Sequence, residues 1–177
     1  MKLLLRGCPL LICALVLPLV TASGDFEPSK ELKPKDMILV DMLNSRDEPD
    51  ICWVVTDPDL EDNPIVFSSE GFSRYTGYAK SEIEGRNCRF LQGKETNPAD
   101  VETIRAAIGA QTDANVCLLN YRKDGTAFLN QFFICPLHDA ATGAVAYYLG
   151  VQAAVRQKEG GQTQKNAGWV YQMGLHA

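Results

Sequence analysis

The chain has 177 residues, 46% of them apolar and 22% charged, with 17 basic against 22 acidic side chains and a net charge of −5. That length is one domain with appendages, enough to bury about two-thirds of the surface of the unfolded chain. These values exclude a fully disordered chain, a collagen and a multi-span membrane protein, and an acidic balance gives no electrostatic footprint for duplex nucleic acid.

Lys2 and Arg6 precede a Leu-rich run from Cys8 to Val20, and Val20-Thr21-Ala22 then offers small residues for cleavage. Basic, apolar, small is the order of a secretory signal peptide, so residues 1–22 are expected to send the chain into the secretory pathway. The apolar run is shorter than the roughly 20 residues of a spanning helix, and Pro9 and Pro18 bracket it. The alternatives are an uncleaved leader acting as a membrane anchor and a buried N-terminal helix. No later segment is expected to span a membrane.

Residues 23–35 are polar, carry Pro28 and Pro34, and read as a linker. In 36–50, Met37, Val40 and Leu43 recur at helical spacing after Asp36, which reads as the N-cap of a flanking helix laid on the core. A compact domain is expected over 51–156. Ile51–Thr56 and Pro64–Phe67 read as strands, and short helical pieces follow around Ser69–Tyr75 and Lys80–Ile83. Asn97-Pro98 pairs an N-cap with a proline at the first helical position. The helix it opens carries Val101, Ile104 and Ile108 on one face and is expected to end near Gly109.

Three β-rich runs follow: Asn115–Arg122, Thr126–Pro136 and Ala144–Val151. Lys123-Asp124-Gly125-Thr126 carries the Asp-Gly signal of a tight hairpin, and residues 137–143 read as a longer turn. Two strands, helices, then three strands predict an α+β domain, with a five-stranded antiparallel sheet and helices over one face. Residues 157–177 are rich in Gln, Gly and Lys and read as a mobile tail.

With Cys8 and Cys13 in the leader, Cys52, Cys88, Cys117 and Cys135 remain. In a secreted chain they suit two disulfides. Three of them lie in apolar strand-like runs, where a free cysteine is an ordinary small buried residue. There is no CxxC pair, and His138 and His176 are the only histidines, which argues against zinc.

The densest chemistry is Gly85-Arg86-Asn87-Cys88-Arg89-Phe90-Leu91-Gln92-Gly93, a thiol between an amide and a guanidinium with a second amide beyond. Arginine beside cysteine favours a thiolate, while a partly buried structural cysteine is the plainer alternative. Arg105 borders the inward face of the Pro98 helix. Asn120, Asn130 and Gln152 fall in the three late strands among apolar neighbours. An unpaired buried amide costs about 1–3 kcal/mol, so these three are satisfied by one another or jointly by a ligand with a ring of donors and acceptors.

The block Trp53–Gln152 resembles a LOV domain, the flavin-binding, blue-light-sensing branch of the PAS superfamily. The strings that carry the resemblance are Val54-Val55-Thr56-Asp57-Pro58, Asp62-Asn63-Pro64-Ile65-Val66-Phe67, Gly85 through Gly93, Ile104-Arg105, Leu119-Asn120-Tyr121, Phe128-Leu129-Asn130 and Gly150-Val151-Gln152. Asn63–Thr76 and Cys117–Asp124 are most similar to LOV domains of algal aureochromes and phototropins. The resemblance implies a PAS fold enclosing FMN, a photoactive thiol at Cys88 that adds reversibly to flavin C4a, and a signal relay at Gln152. It implies that Asn87, Gln92, Asn120, Asn130 and Gln152 hydrogen-bond the ring or ribityl chain and that Arg89 and Arg105 hold the phosphate. It places Val54, Thr56, Asn63, Leu91, Val101, Ile104, Ile108, Phe132, Ile134, Tyr148 and Gly150 in the pocket lining.

One departure is Leu129-Asn130-Gln131-Phe132, where the family often has Trp-Asn-Leu-Phe. Strand alternation turns Leu129 and Gln131 away from Asn130, so the departure falls on the outer face of the sheet. An adduct that reverts thermally implies a sensor with no turnover, not an enzyme. Output is expected through the sheet and its flanks, to a light-dependent homodimer or an effector protein, with no direct nucleic-acid binding. A light-insensitive PAS module that binds flavin or another ligand for redox sensing or dimerisation is the rival, and Cys88 separates the two. A disulfide-stapled secreted protein without flavin is the third reading.

Overall fold

The computed structural model describes residues 24–45 and 51–154; residues 1–23 (with the expected leader), 46–50 and 155–177 (with the expected tail) lie outside them. Five strands form one antiparallel sheet: β1 (Cys52–Thr56), β2 (Ile65–Ser68), β3 (Ala114–Tyr121), β4 (Ala127–His138) and β5 (Val145–Ala154), in the spatial order β2-β1-β5-β4-β3. The first and last strands are neighbours at its centre, with Cys52 opposite Gln152 and Val54 opposite Gly150. All five residues of β1 are buried, because elements cover it on both faces.

Between β2 and β3 run α2 (Glu70–Thr76), α3 (Lys80–Ile83), a 3-10 turn (Cys88–Leu91) and α4 (Pro98–Ala110). Ser69 caps α2 by accepting from the Phe72 N–H, and Asn97 caps α4 by accepting from the Ala99 N–H. Helix α4 runs one residue past Gly109 and closes at Gln111 in the left-handed conformation. The β3–β4 hairpin turns at Arg122–Gly125, where the Gly125 N–H donates to the Arg122 carbonyl at 2.9 Å and Gly125 takes φ +84°.

The N-terminal stretch differs from its sequence reading. Helix α1 spans Pro34–Asn44, with Lys33 as N-cap and Pro34 in its first turn, so Asp36 is inside the helix rather than its cap. The Asp36 carboxylate is drawn away from capping by β4: it accepts from the His138 N–H at 2.7 Å and lies 3.1 Å from His138 Nδ1. The segment read as a linker is a strap against the outer face of the sheet. Phe26 is buried in an aromatic box with Trp53, Phe67 and Tyr147, at ring separations of 5.5–6.5 Å. Lys30 bonds Asp57 at 2.6 Å, Asp59 at 2.9 Å and the Ala146 carbonyl at 2.9 Å, and Leu32 bridges to Asp139. Asn44 exchanges two hydrogen bonds with the Phe26 backbone, joining strap to helix. Polar composition conceals this docking, since two apolar side chains and one lysine carry it.

The sheet therefore has two faces with different covers. The outer face packs Trp53, Val55, Phe133, Cys135, Leu137, Leu149 and Val151 against Leu39, Val40 and Leu43 of α1. The inner face, carrying the alternate residues of the same strands, meets α2, α3 and α4. None of the four cysteines among the described residues is in a disulfide; Cys52 and Cys135 are buried, whereas Cys117 is exposed on the outer face of β3, unlike the buried residue its apolar run suggests. Among the described residues no helix is long and apolar enough to cross a membrane, and no cluster of His, Cys, Asp and Glu is placed to hold a metal ion.

Candidate functional site

The inner face of the sheet, the 3-10 turn and α4 line a cavity that opens to solvent at one side, with about 870 Å3 of empty space counting the solvent at its opening. Every residue that the resemblance placed at the site lines it. Val54 and Thr56 come from β1, Asn63 from the turn before β2, and Asn87, Cys88, Arg89, Leu91 and Gln92 from the 3-10 turn and its ends. Helix α4 adds Val101, Ile104, Arg105 and Ile108, β3 adds Asn120, β4 adds Asn130, Phe132 and Ile134, and β5 adds Tyr148, Gly150 and Gln152. The sequence reading missed Leu118, which two-residue alternation from Asn120 would have placed on the same face.

The local chemistry of the 85–93 motif is structural as well as functional. Asn87 accepts from the Arg89 N–H at 3.1 Å and donates its amide to the carbonyls of Asp62 at 2.7 Å and Asn63 at 3.3 Å, which pins the turn before β2 to the motif. Arg86 stacks on Phe90 at 4.4 Å. A Cβ at Gly93 would lie 2.3 Å from the Tyr121 ring, so only glycine lets the motif pass that side chain. The same logic holds at Gly150, where a Cβ would meet Phe132 at 2.8 Å and Val54 at 3.2 Å.

Cys88 is half-buried and packs against the buried cluster of Val54, Phe72 and Leu91. Burial pushes its thiol up to about 12, against a smaller opposing effect of the Arg89 charge. The thiolate suggested by the neighbouring arginine is thus not what the fold favours: desolvation dominates, and the Arg89 guanidinium is turned to the Asp62 carboxylate. The proton stays on sulfur across the physiological range. Arg105 is likewise more exposed than its place beside the inward face suggests, and pairs with Glu102 at 3.5 Å. Both arginines stand at the mouth.

The cavity walls carry unspent hydrogen-bonding capacity. Asn130 donates to Asn120 Oδ1 at 2.9 Å, and Tyr148 donates to the Ile108 carbonyl at 2.8 Å. Yet Thr56 Oγ1, Asn63 Oδ1, Asn130 Oδ1 and Gln152 Oε1 are buried with no partner in the protein, four of the five such side-chain atoms among the described residues. Unpaired buried oxygens cost about 1–3 kcal/mol each, and native proteins keep few of them without a ligand or water to satisfy them. Apolar walls, amides aimed inward from three strands and two guanidinium groups at the mouth fit a flat polyfunctional ring with an anionic tail.

Residues 49–153 match the family model described as PAS domain. The chain belongs to the PAS domain family. Within it the chain carries a LOV domain, as the sequence strings suggest: it is 53% identical to a solved structure described as the light state of the blue-light photoreceptor Aureochrome1 LOV, covering 60% of this chain and 82% of that one, with a TM-score of 0.58. A second structure, from a study of a flavin analogue in a light-oxygen-voltage domain, is 50% identical over 68% of this chain and 86% of that one, with a TM-score of 0.63. Among curated proteins, a blue-light photoreceptor of Listeria monocytogenes is 48% identical over 58% of this chain, and Phototropin-1A of Oryza sativa is 46% identical over 64%. The match spans only 40% and 12% of those two proteins' own lengths.

Proposed function

We propose that this LOV domain is a blue-light sensor that binds FMN in the inner cavity and signals through Cys88 and Gln152. The observation that carries the reading is the convergence, on one apolar cavity, of a protonated thiol, inward amides with unpaired oxygens and two arginines at the mouth. A flavin held there would supply light absorption and an excited ring reactive towards a neighbouring thiol.

The chain's own residues supply position and protonation. Cys88 brings sulfur and proton together, because burial keeps the thiol neutral. Asn120 and Asn130 are already oriented by their mutual hydrogen bond, so the free oxygen of Asn130 is fixed towards the cavity. The Arg89 and Arg105 forks suit a phosphate dianion and favour FMN over an uncharged flavin. Gln152 is an amide that presents either its oxygen or its nitrogen to the cavity, and rotation about its last torsion exchanges acceptor for donor. Its neighbours in β5, Val151 and Ala153, pack on the outer face with the cluster that holds α1 and the strap. A change at Gln152 therefore reaches the outer cover through one strand. An output by homodimerisation or by an effector protein belongs to the same proposal.

The test is a pair of binding curves. Replacing Arg89 and Arg105 together by Ala is expected to weaken FMN binding at least tenfold and leave riboflavin binding nearly unchanged. Equal losses for the two ligands would refute the phosphate role.

A further inference from the structure

Of the residues lining the cavity, only Arg89 and Arg105 carry a full charge, and each is already matched by a carboxylate just outside it. Glu102 sits three residues from Arg105 on the same exposed turn of α4. Asp62 is different, because the backbone is bent to present it. Asp62 and the following Asn63 both adopt left-handed conformations, with φ of +67° and +47°. That pair of turns is held by the Asn87 amide, which donates to both carbonyls, and by the Asn63 N–H on the Leu60 carbonyl at 3.1 Å. Aspartate and asparagine tolerate this conformation better than other residues with a side chain. The outcome is an exposed carboxylate just outside the cavity, bonded to the Arg89 guanidinium that lines it.

Resting on the FMN reading above, we propose that Asp62 sets the ligand selectivity of the mouth by opposing a phosphate for possession of Arg89. A ligand ending in a dianion must share or displace that ion pair and accept a negative neighbour. A ligand ending in a hydroxyl meets neither cost. The arginines therefore do not act as two free positive charges: the mouth is close to neutral, and its preference for a phosphorylated flavin is held below what the guanidinium groups alone would give. The Asp62 carboxyl is held below its usual range by Arg89, so the opposition persists throughout the neutral region.

The experiment compares FMN and riboflavin dissociation constants on the flavin-free full chain, for the parent, Asp62→Asn and Glu102→Gln. Asparagine keeps the left-handed preference and the shape while removing the charge. Asp62→Asn is expected to tighten FMN about three- to tenfold, the effect of removing one charge some ångströms from a dianion in a solvated mouth. Riboflavin affinity stays within about twofold, and the FMN gain shrinks in strong salt as screening rises. Glu102→Gln acts in the same direction but less, because its exposed pair lies along a single helix. FMN affinity that is unchanged or weakened in Asp62→Asn, with riboflavin unaffected, overturns the proposal and makes Asp62 a prop for Arg89. Equal changes for both ligands overturn it in favour of a change in loop shape. If the parent binds neither ligand, the FMN reading itself fails, and this proposal with it.

Discussion

Gly150 offers a quantitative test of where the ligand lies. A methyl group there would stand 2.8 Å from the Phe132 ring on one side and 3.2 Å from a Val54 methyl on the other, against an ordinary contact of about 3.4 Å or more. Phe132 must give by several tenths of an ångström. It is buried beside Val116, Leu118, Ile134 and Tyr148, so its movement disturbs a packed cluster. Overpacking of this kind costs about 1–3 kcal/mol; taking about 2, a domain of this size loses roughly 8 °C in Tm. Phe132 and Gly150 both line the cavity, so the displaced ring also narrows it. Gly150→Ala is therefore expected to melt roughly 8 °C lower without flavin and to bind FMN about tenfold more weakly, a loss of about 1.4 kcal/mol. Val55→Ala is the control. Val55 is fully buried but faces the outer cover, so the truncation costs stability through a cavity and leaves FMN affinity within about twofold. Thermal melts and fluorescence titration measure both quantities. Gly150→Ala that binds FMN like the parent, or Val55→Ala that loses as much affinity, would show that the inner face is not the flavin site.

Two further outcomes follow from the site. Gln152→Leu removes a buried oxygen with no protein partner, so the flavin-free protein should be unchanged or more stable by about 1 kcal/mol in a denaturant melt, while flavin binding weakens. The parent is expected to show light-dependent acceleration of hydrogen exchange in 36–43, and the same variant to lose it; acceleration that persists would remove Gln152 from the signal route. The thiols give a pH signature. Burial holds Cys88 and Cys135 at about 12, above an unperturbed thiol, so neither ionises in the native state at neutral pH. Light-driven bleaching should accordingly be flat from pH 6 to about 8, and a rise with thiolate population over that range would refute the neutral-thiol account. The sign for stability is the reverse of a stabilising carboxylate. Up to the unfolded thiol pKa, near 9, both states keep the proton; from there to about 12 only the unfolded chain releases it, so stability falls by about 1.4 kcal/mol per pH unit for each such thiol. Cys135→Ala should remove one of those two contributions.

The inner half of this domain was legible because its signals are local. Period-two alternation puts Asn120, Asn130 and Gln152 on one face once the strands are recognised. The 85–93 motif names its own chemistry, and Leu118 was within reach of the same alternation. The outer half was not legible, because its cover is made of long-range contacts on a polar background. Nothing in the sequence around Phe26 announces a box formed by Trp53, Phe67 and Tyr147. Asp36 has the composition of an N-cap, and only the arrival of His138, 102 positions later, takes its carboxylate elsewhere. A flanking helix laid on the core was expected in 36–50, but its face was not: α1 and the strap close the outer side of the sheet. The charge state of Cys88 was obscured for a related reason. Sequence shows the adjacent arginine, while the desolvation that outweighs it, and the Asp62 carboxylate that claims Arg89, come from the fold.

The central claim is that Cys88 is the photoactive thiol of a flavin-bearing cavity, and visible absorption of the purified full chain, dark and after blue light, tests it most directly. The parent should show a flavin band that bleaches under blue light and returns in the dark. Cys88→Ser should keep the band and lose reversible bleaching, while Ser at Cys52, Cys117 or Cys135 leaves bleaching intact. A colourless protein that takes up no added FMN, or a Cys88→Ser variant that bleaches and recovers like the parent, would contradict the account.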